Sequence, residues 1–164
     1  VTGRGPAPSV VFGPADPRED PAAALLAEMG VELNALYGAT DRLDHPALDP
    51  AMLLPPAGRY LVGRQDGAAV AGGGVRALPG AGPGVGEVKR MFVRPPARSR
   101  GLAGLLLAAL EQAALDLGYT TVRLDTGPRQ PHARALYERA GYRPVPRYND
   151  NPYATFFGEK ILVP

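Results

Sequence analysis

The stretch Glu87-Val-Lys-Arg-Met-Phe-Val93, followed by Arg94-Pro-Pro-Ala97 and then Arg98-Ser-Arg-Gly101-Leu-Ala103-Gly104, decides how this chain is read. Residues 86–93 have the composition of a strand, and the double proline after them ends it. Beyond the turn, Leu102, Leu105, Leu106, Ala109, Leu110, Ala113 and Leu117 recur at helical spacing. Gly118 stands where a glycine would stop that helix. A strand therefore runs through a turn straight into a helix N-terminus. There the first N–H groups have no intrahelical partner, and arginines and small residues surround them. That combination suits a pyrophosphate.

Outward from this centre the chain alternates hairpins and helices. Ser9–Phe12 is a short β-like run. Asp20-Pro21 reads as a cap followed by proline at the first helical position, opening a helix with Leu25, Leu26 and Met29 on its apolar face. Gly30 is expected to end or kink it, with Val31, Leu33, Leu36 and Tyr37 continuing the apolar content to Gly38. Thr40–Gly58 is proline-rich and reads as a loop holding at most a short helix. Tyr60–Arg64 and Ala68–Leu78 form a hairpin about Gln65-Asp66-Gly67, and Asp-Gly between apolar runs is its signal. Downstream, Thr120–Thr126 is a β-branched strand and a helix starts at Pro131 and closes at Gly141. Tyr142–Val145 and Ala154–Leu162 complete the strands. Hairpins first, then β-α-β-α-β, predict an α+β or mixed-sheet α/β fold. The glycine-rich 80–86 segment leads into a strand, not a helix, so it is a hairpin loop and not a dinucleotide fingerprint.

Length and composition narrow the function classes. The chain's 164 residues favour one domain, 45% hydrophobic and 21% charged, with Val1–Ser9 expected as a flexible lead-in and residues 10–164 as the domain. A net charge of +2 argues against a nucleic-acid partner. With no cysteine, thiolate catalysis and cysteine metal sites are excluded. His45 and His132 are far apart and show no metal-ligand spacing, so no metal is expected. Lacking an apolar run of membrane-spanning length or a signal-peptide pattern, the protein is expected to be cytoplasmic with no membrane partner.

Two segments carry a family resemblance. Arg98-x-x-Gly101-x-Ala103 resembles the acyl-CoA signature of the GNAT superfamily of N-acetyltransferases, Gln/Arg-x-x-Gly-x-Gly/Ala. Ala133-Arg-Ala-Leu136-Tyr137-Glu-Arg-Ala-Gly141-Tyr142 resembles its second signature, Asn-x-x-Ala-x-x-Leu-Tyr-x-x-x-Gly-Phe/Tyr. Leu124-Asp-Thr-Gly127 and Phe157-Gly-Glu-Lys160 are similar to a bacterial single-domain subgroup. The chain departs from the signatures in having Gln130 where asparagine is usual, Ser99 where glycine is frequent and Ala103 where glycine is commoner.

The resemblance implies a mixed, mostly antiparallel sheet of six to seven strands with about four helices. It further implies acetyl-CoA as cosubstrate, with the pyrophosphate held by Arg98, Ser99, Arg100, Gly101, Leu102, Ala103 and Gly104. The pantetheine would lie along Met91, Phe92 and Val93, near Gln130 and Ala133. Tyr137 would protonate the departing thiolate. Glu87 matches the position of a general base, acting directly or through water, and strand alternation would place it on one face with Lys89 and Met91. Tyr148, Asp150 and Tyr153 are the candidate acceptor-binding residues. The acceptor is expected to be a small-molecule amine or a peptide amine, and a homodimer is compatible with this reading. The competing expectations are an acyl-CoA-binding module without turnover, and an interaction protein whose basic turn meets nucleic acid.

Overall fold

The computed structural model describes residues 9–38 and 48–164; His45 and the lead-in through residue 8 lie outside these. Seven strands form one sheet: β1 (Val10–Ala15), β2 (Arg59–Gln65), β3 (Ala68–Ala77), β4 (Val85–Val93), β5 (Thr121–Thr126), β6 (Arg143–Pro144) and β7 (Phe156–Ile161). Three α-helices accompany them among the described residues: α1 (Ala22–Tyr37), α2 (Leu102–Asp116) and α3 (Pro131–Arg139). Short 3-10 turns occupy Pro50–Leu53 and Pro95–Ala97. The sheet order is β1-β2-β3-β4-β5-β7-β6, antiparallel throughout except for β4 against β5.

Gly30 neither ends nor breaks α1, which runs on to Tyr37. A glycine costs a helix about 1 kcal/mol relative to alanine, and burial of Ala22 and Leu25 against the sheet offsets it. The hairpin between β2 and β3 turns on Asp66 and Gly67, with φ of 50° and 81°, the left-handed pair that a two-residue turn requires.

The sheet is covered on both faces. Leu106, Leu107 and Leu110 of α2 pack with Val75, Val88, Val122 and Leu124 on one side, together with Tyr137 of α3. On the other side, Leu25 of α1 and Leu53 pack with Tyr60, Val62 and Phe92.

Two irregularities in β4 open the site. Its parallel pairing with β5 runs only from Val85↔Thr121 to Glu87↔Arg123, after which the two strands separate. Its register with β3 then slips: Gly74 faces Lys89 and Gly72 faces Phe92, so Arg90 and Met91 together oppose Gly73. This is a β-bulge, with Arg90 at φ 59°. The extra residue overturns the expected alternation. Glu87 and Lys89 remain on one face, but Met91 joins the α2 side, where it meets Leu110 across Gly73.

Candidate active site

Where β4 and β5 part, a cleft forms. Lys89, Arg90 and Met91 line one wall, and Asp125, Thr126 and Gly127 the other. Met29, Leu33 and Tyr37, spaced by four on α1, form an apolar stripe along it. Val88, Tyr137, Gln130, Asn151 and Tyr153 complete the lining. The α1 end is fastened tightly. Tyr37 donates to Gln130 Oε1 at 3.4 Å and accepts from the Arg129 N–H at 3.2 Å. The Tyr37 ring stacks at a tilt on Tyr153, centroids 5.3 Å apart. A Cβ at Gly127 would overlap the Tyr37 hydroxyl, so only glycine allows this approach.

Tyr137 is buried, with its hydroxyl 4.0 Å from Met91 Sδ. Burial, and then the negative charge of Asp125, push its pKa well above the usual tyrosine range. At neutral pH it therefore carries its proton, as an acid must.

Beneath the cleft lies a charged network. Glu87 is fully buried and accepts from Arg76 at 2.9 and 3.1 Å through one oxygen. Its other oxygen faces Lys89 Nζ at 3.3 Å and Asn149 Nδ2 at 3.4 Å. The same Asn149 nitrogen donates to Asp125 at 2.5 Å, and Lys89 reaches Asp125 at 3.3 Å. Of the two carboxylates, Asp125 borders the cleft and Glu87 does not. Tyr148 packs edge-on against Phe157. Burial and the charges of Glu87 and Asp125 raise its pKa as well.

The turn after β4 is the second part of the site. Gly101 caps α2 at φ 78° and Ser99 precedes it at φ 65°. No side chain caps this helix, so the N–H groups of Leu102, Ala103 and Gly104 are left for an anion. Ser99, Arg100 and Gly101 are exposed. Arg98 is already engaged: it forms a two-pronged pair with Glu32 of α1 at 2.6 and 2.7 Å, and its Nε donates to the Val93 carbonyl at 2.8 Å. One turn away, Arg94 grips Glu28 at 2.7 and 2.9 Å in the same manner. Helix α1 thus ties the turn to the cleft.

The remaining expected residues are spread more widely. Phe92 packs on the α1 side beneath the Arg98 guanidinium, while Val93 faces α2. Ala133 packs half-buried on the α2 side of the core. Tyr153 lines the cleft, but Asp150 is exposed outside it, and Asn151 takes the neighbouring place in the lining. His132 is exposed on α3. No cluster of metal-ligating side chains occurs among the described residues. Nor is any described helix long and apolar enough to cross a membrane. Sequence reasoning missed Asp125, Asn149 and Lys89 as a group, because their partners lie far apart in the chain.

The sheet thus splits between two parallel strands beside a bare helix N-terminus, and the Tyr137 hydroxyl lies buried at the split. The profile of the acetyltransferase (GNAT) family matches residues 26–142. An "IAA acetyltransferase" of Azospirillum brasilense is 35% identical over 158 residues, covering 94% of this chain and 99% of that protein. A Klebsiella pneumoniae structure described as a candidate acyl-CoA N-acyltransferase is 30% identical with a TM-score of 0.73, covering 94% of this chain and 98% of that one. A GNAT-family acetyltransferase of Elizabethkingia anophelis, solved with acetyl-CoA bound, shares the fold at a TM-score of 0.64 and 14% identity, covering 93% of this chain and 98% of that one. The chain belongs to the GNAT family and is an N-acetyltransferase of it.

Proposed function

We propose that the protein moves the acetyl group of acetyl-CoA directly onto a primary amine of a small molecule or a peptide. The observation that carries this reading is the buried, proton-bearing Tyr137 hydroxyl at the point where β4 and β5 part. The uncapped start of α2 fits a diphosphate: the exposed turn supplies free N–H groups and Arg100 adds positive charge. Along Val88–Val93 the β5-side edge of β4 is unpaired with β5, which suits an amide-bearing arm laid along it.

In the reaction, the ammonium first yields a proton to the carboxylate network at the cleft floor. The amine lone pair then attacks the thioester carbonyl carbon and forms the C–N bond. As the C–S bond breaks, Tyr137 gives its proton to the thiolate and regains one from the new amide nitrogen. With no cysteine in the chain, direct transfer is the economical course. Within the network, both Glu87 oxygens are already occupied, which supports a bracing role for it with any proton exchange running through a neighbour.

The test is thiol release from acetyl-CoA over a broad amine panel, with Tyr137→Phe as control. Amine-dependent release that Tyr137→Phe suppresses supports the reading. Binding of acetyl-CoA without release by any amine would instead favour the acyl-CoA-binding module.

A further inference from the structure

Resting on the transferase reading, we infer that Asp125 is the carboxylate that meets the acceptor's ammonium, and that the acceptor carries a ring-sized apolar body lying along Met29, Leu33 and Tyr37. Asp125 is the carboxylate that borders the cleft, and its charge is felt at the Tyr137 hydroxyl. An ammonium held against Asp125 therefore sits beside the group that protonates the leaving thiolate. Asn149 at 2.5 Å and Lys89 at 3.3 Å hold the carboxylate, Lys89 from the facing wall of the cleft. Glu87, pinned by Arg76, in turn holds Lys89 and Asn149. Glu87 is thus a positioning residue, and Asp125 is the residue that touches the amine.

The opposite wall sets the body of the acceptor. Met29, Leu33 and Tyr37 are each half-buried, because their free side faces the cleft and not the core. Tyr153 closes the far end against the Tyr37 ring. An apolar stripe opposite one carboxylate matches an arylalkyl amine. Among the described residues it offers a polyamine one anionic contact at the floor.

The proton step balances as follows. The ammonium N–H bond breaks and its proton passes to an Asp125 oxygen, leaving the lone pair on nitrogen. After turnover that proton returns to solvent. Around Asp125 stand Lys89 and Glu87 from β4, Tyr137 from α3 and Tyr148 from the loop after β6, and Arg90 of β4, Tyr37 of α1 and Tyr153 line the same cleft.

The experiment compares 2-phenylethylamine, ethylamine and spermidine as acceptors for wild type, Asp125→Asn, Glu87→Gln and Leu33→Ala, with acetyl-CoA affinity measured by calorimetry. We expect kcat/KM for 2-phenylethylamine to exceed that for ethylamine by about 100-fold. Leu33→Ala should narrow that ratio. Asp125→Asn should keep acetyl-CoA affinity and lose about 10²- to 10⁴-fold in kcat/KM at neutral pH, with the loss shrinking as pH rises and free amine accumulates. Glu87→Gln should lose less and keep the wild-type shape of the pH profile. Equal turnover of ethylamine or spermidine would overturn the acceptor class, as would an unchanged ratio in Leu33→Ala. An Asp125→Asn profile superimposed on wild type would overturn the role of Asp125. Absence of acetyl-CoA binding in the wild type would overturn the transferase reading beneath both. Should Asp125→Asn fail to fold, the Leu33→Ala ratio still decides the acceptor class, and a Glu87→Gln profile that loses its acid limb would overturn the assignment to Asp125.

Discussion

Glu87 gives the sharpest stability prediction. Its carboxylate has no exposed surface, and its cationic partners Arg76 and Lys89 are only 13% and 18% exposed. Removing the carboxylate in Glu87→Ala takes from the mostly buried Arg76 the carboxylate it pairs with, and leaves Lys89 with Asp125 at 3.3 Å as its remaining anion. Breaking a buried pair in this way costs about 3–5 kcal/mol. At about 2–4 °C per kcal/mol for a domain of this size, the melting temperature should fall by about 6–20 °C. Glu87→Gln keeps the side-chain volume and an acceptor for Arg76, so its loss should be nearer about 2 kcal/mol, the scale of a hydrogen bond to a charged group. The chain has no tryptophan, so urea unfolding is best followed by far-UV circular dichroism. A loss below about 1 kcal/mol in Glu87→Ala would refute the reasoning, since the ion pairs would then be contributing no more than a typical surface contact.

Other expectations concern the reaction and its pH limits. Tyr137→Phe should lower kcat by about 10- to 10⁴-fold with little change in acetyl-CoA affinity, read by steady-state kinetics and calorimetry. Wild-type turnover in that variant would reduce Tyr137 to packing. Gly101→Glu should abolish acetyl-CoA binding in calorimetry while the protein stays folded. A Cβ there meets nothing within 4 Å, and the positive φ costs only about 1–2 kcal/mol. Unchanged affinity would move the pyrophosphate elsewhere. Tyr60, Tyr137, Tyr142 and Tyr148 all have pKa values raised above the usual value, chiefly by burial. Their contribution to stability is fully present below about pH 10 and is lost above it, because the unfolded chain then releases protons that the folded one keeps. Urea midpoints should therefore fall as pH rises past about 10, less steeply in Tyr148→Phe. A flat alkaline limb would contradict the burial of these hydroxyls.

The centre of the fold was legible because its signals are local. In the 87–118 stretch the apolar period changes from strand to helix across a proline-rich turn, and Gly118 takes the φ of 92° that stops α2. The Asp66-Gly67 hairpin and the helix carrying Tyr137 likewise follow from neighbouring residues. What sequence did not disclose depends on distant partners. Asn149 meets Asp125 across 24 residues and Glu87 across 62. Arg98 finds Glu32 across 66, so a residue that reads as a free phosphate ligand is held by α1. The insertion of β7 between β5 and β6 is a matter of topology, which no local pattern encodes. The bulge at Arg90 was hidden because neither glycine nor proline marks it.

That bulge makes the number of residues in β4 a form of information. Side chains along a strand have a phase, and one additional residue inverts it for everything downstream. Glu87 and Lys89 are written in one phase; Met91, Phe92 and Val93 are written in the other. Removing Arg90 would erase the bulge and leave Met91, Phe92 and Val93 on the faces they now occupy, because Met91 alone would then oppose Gly73. Straightening the strand with every residue kept would instead turn Met91 and Val93 out of the α2 layer and Phe92 out of the α1 layer. The bulge is therefore a phase correction written into the strand, and it decides that Met91 is the side chain that meets Tyr137.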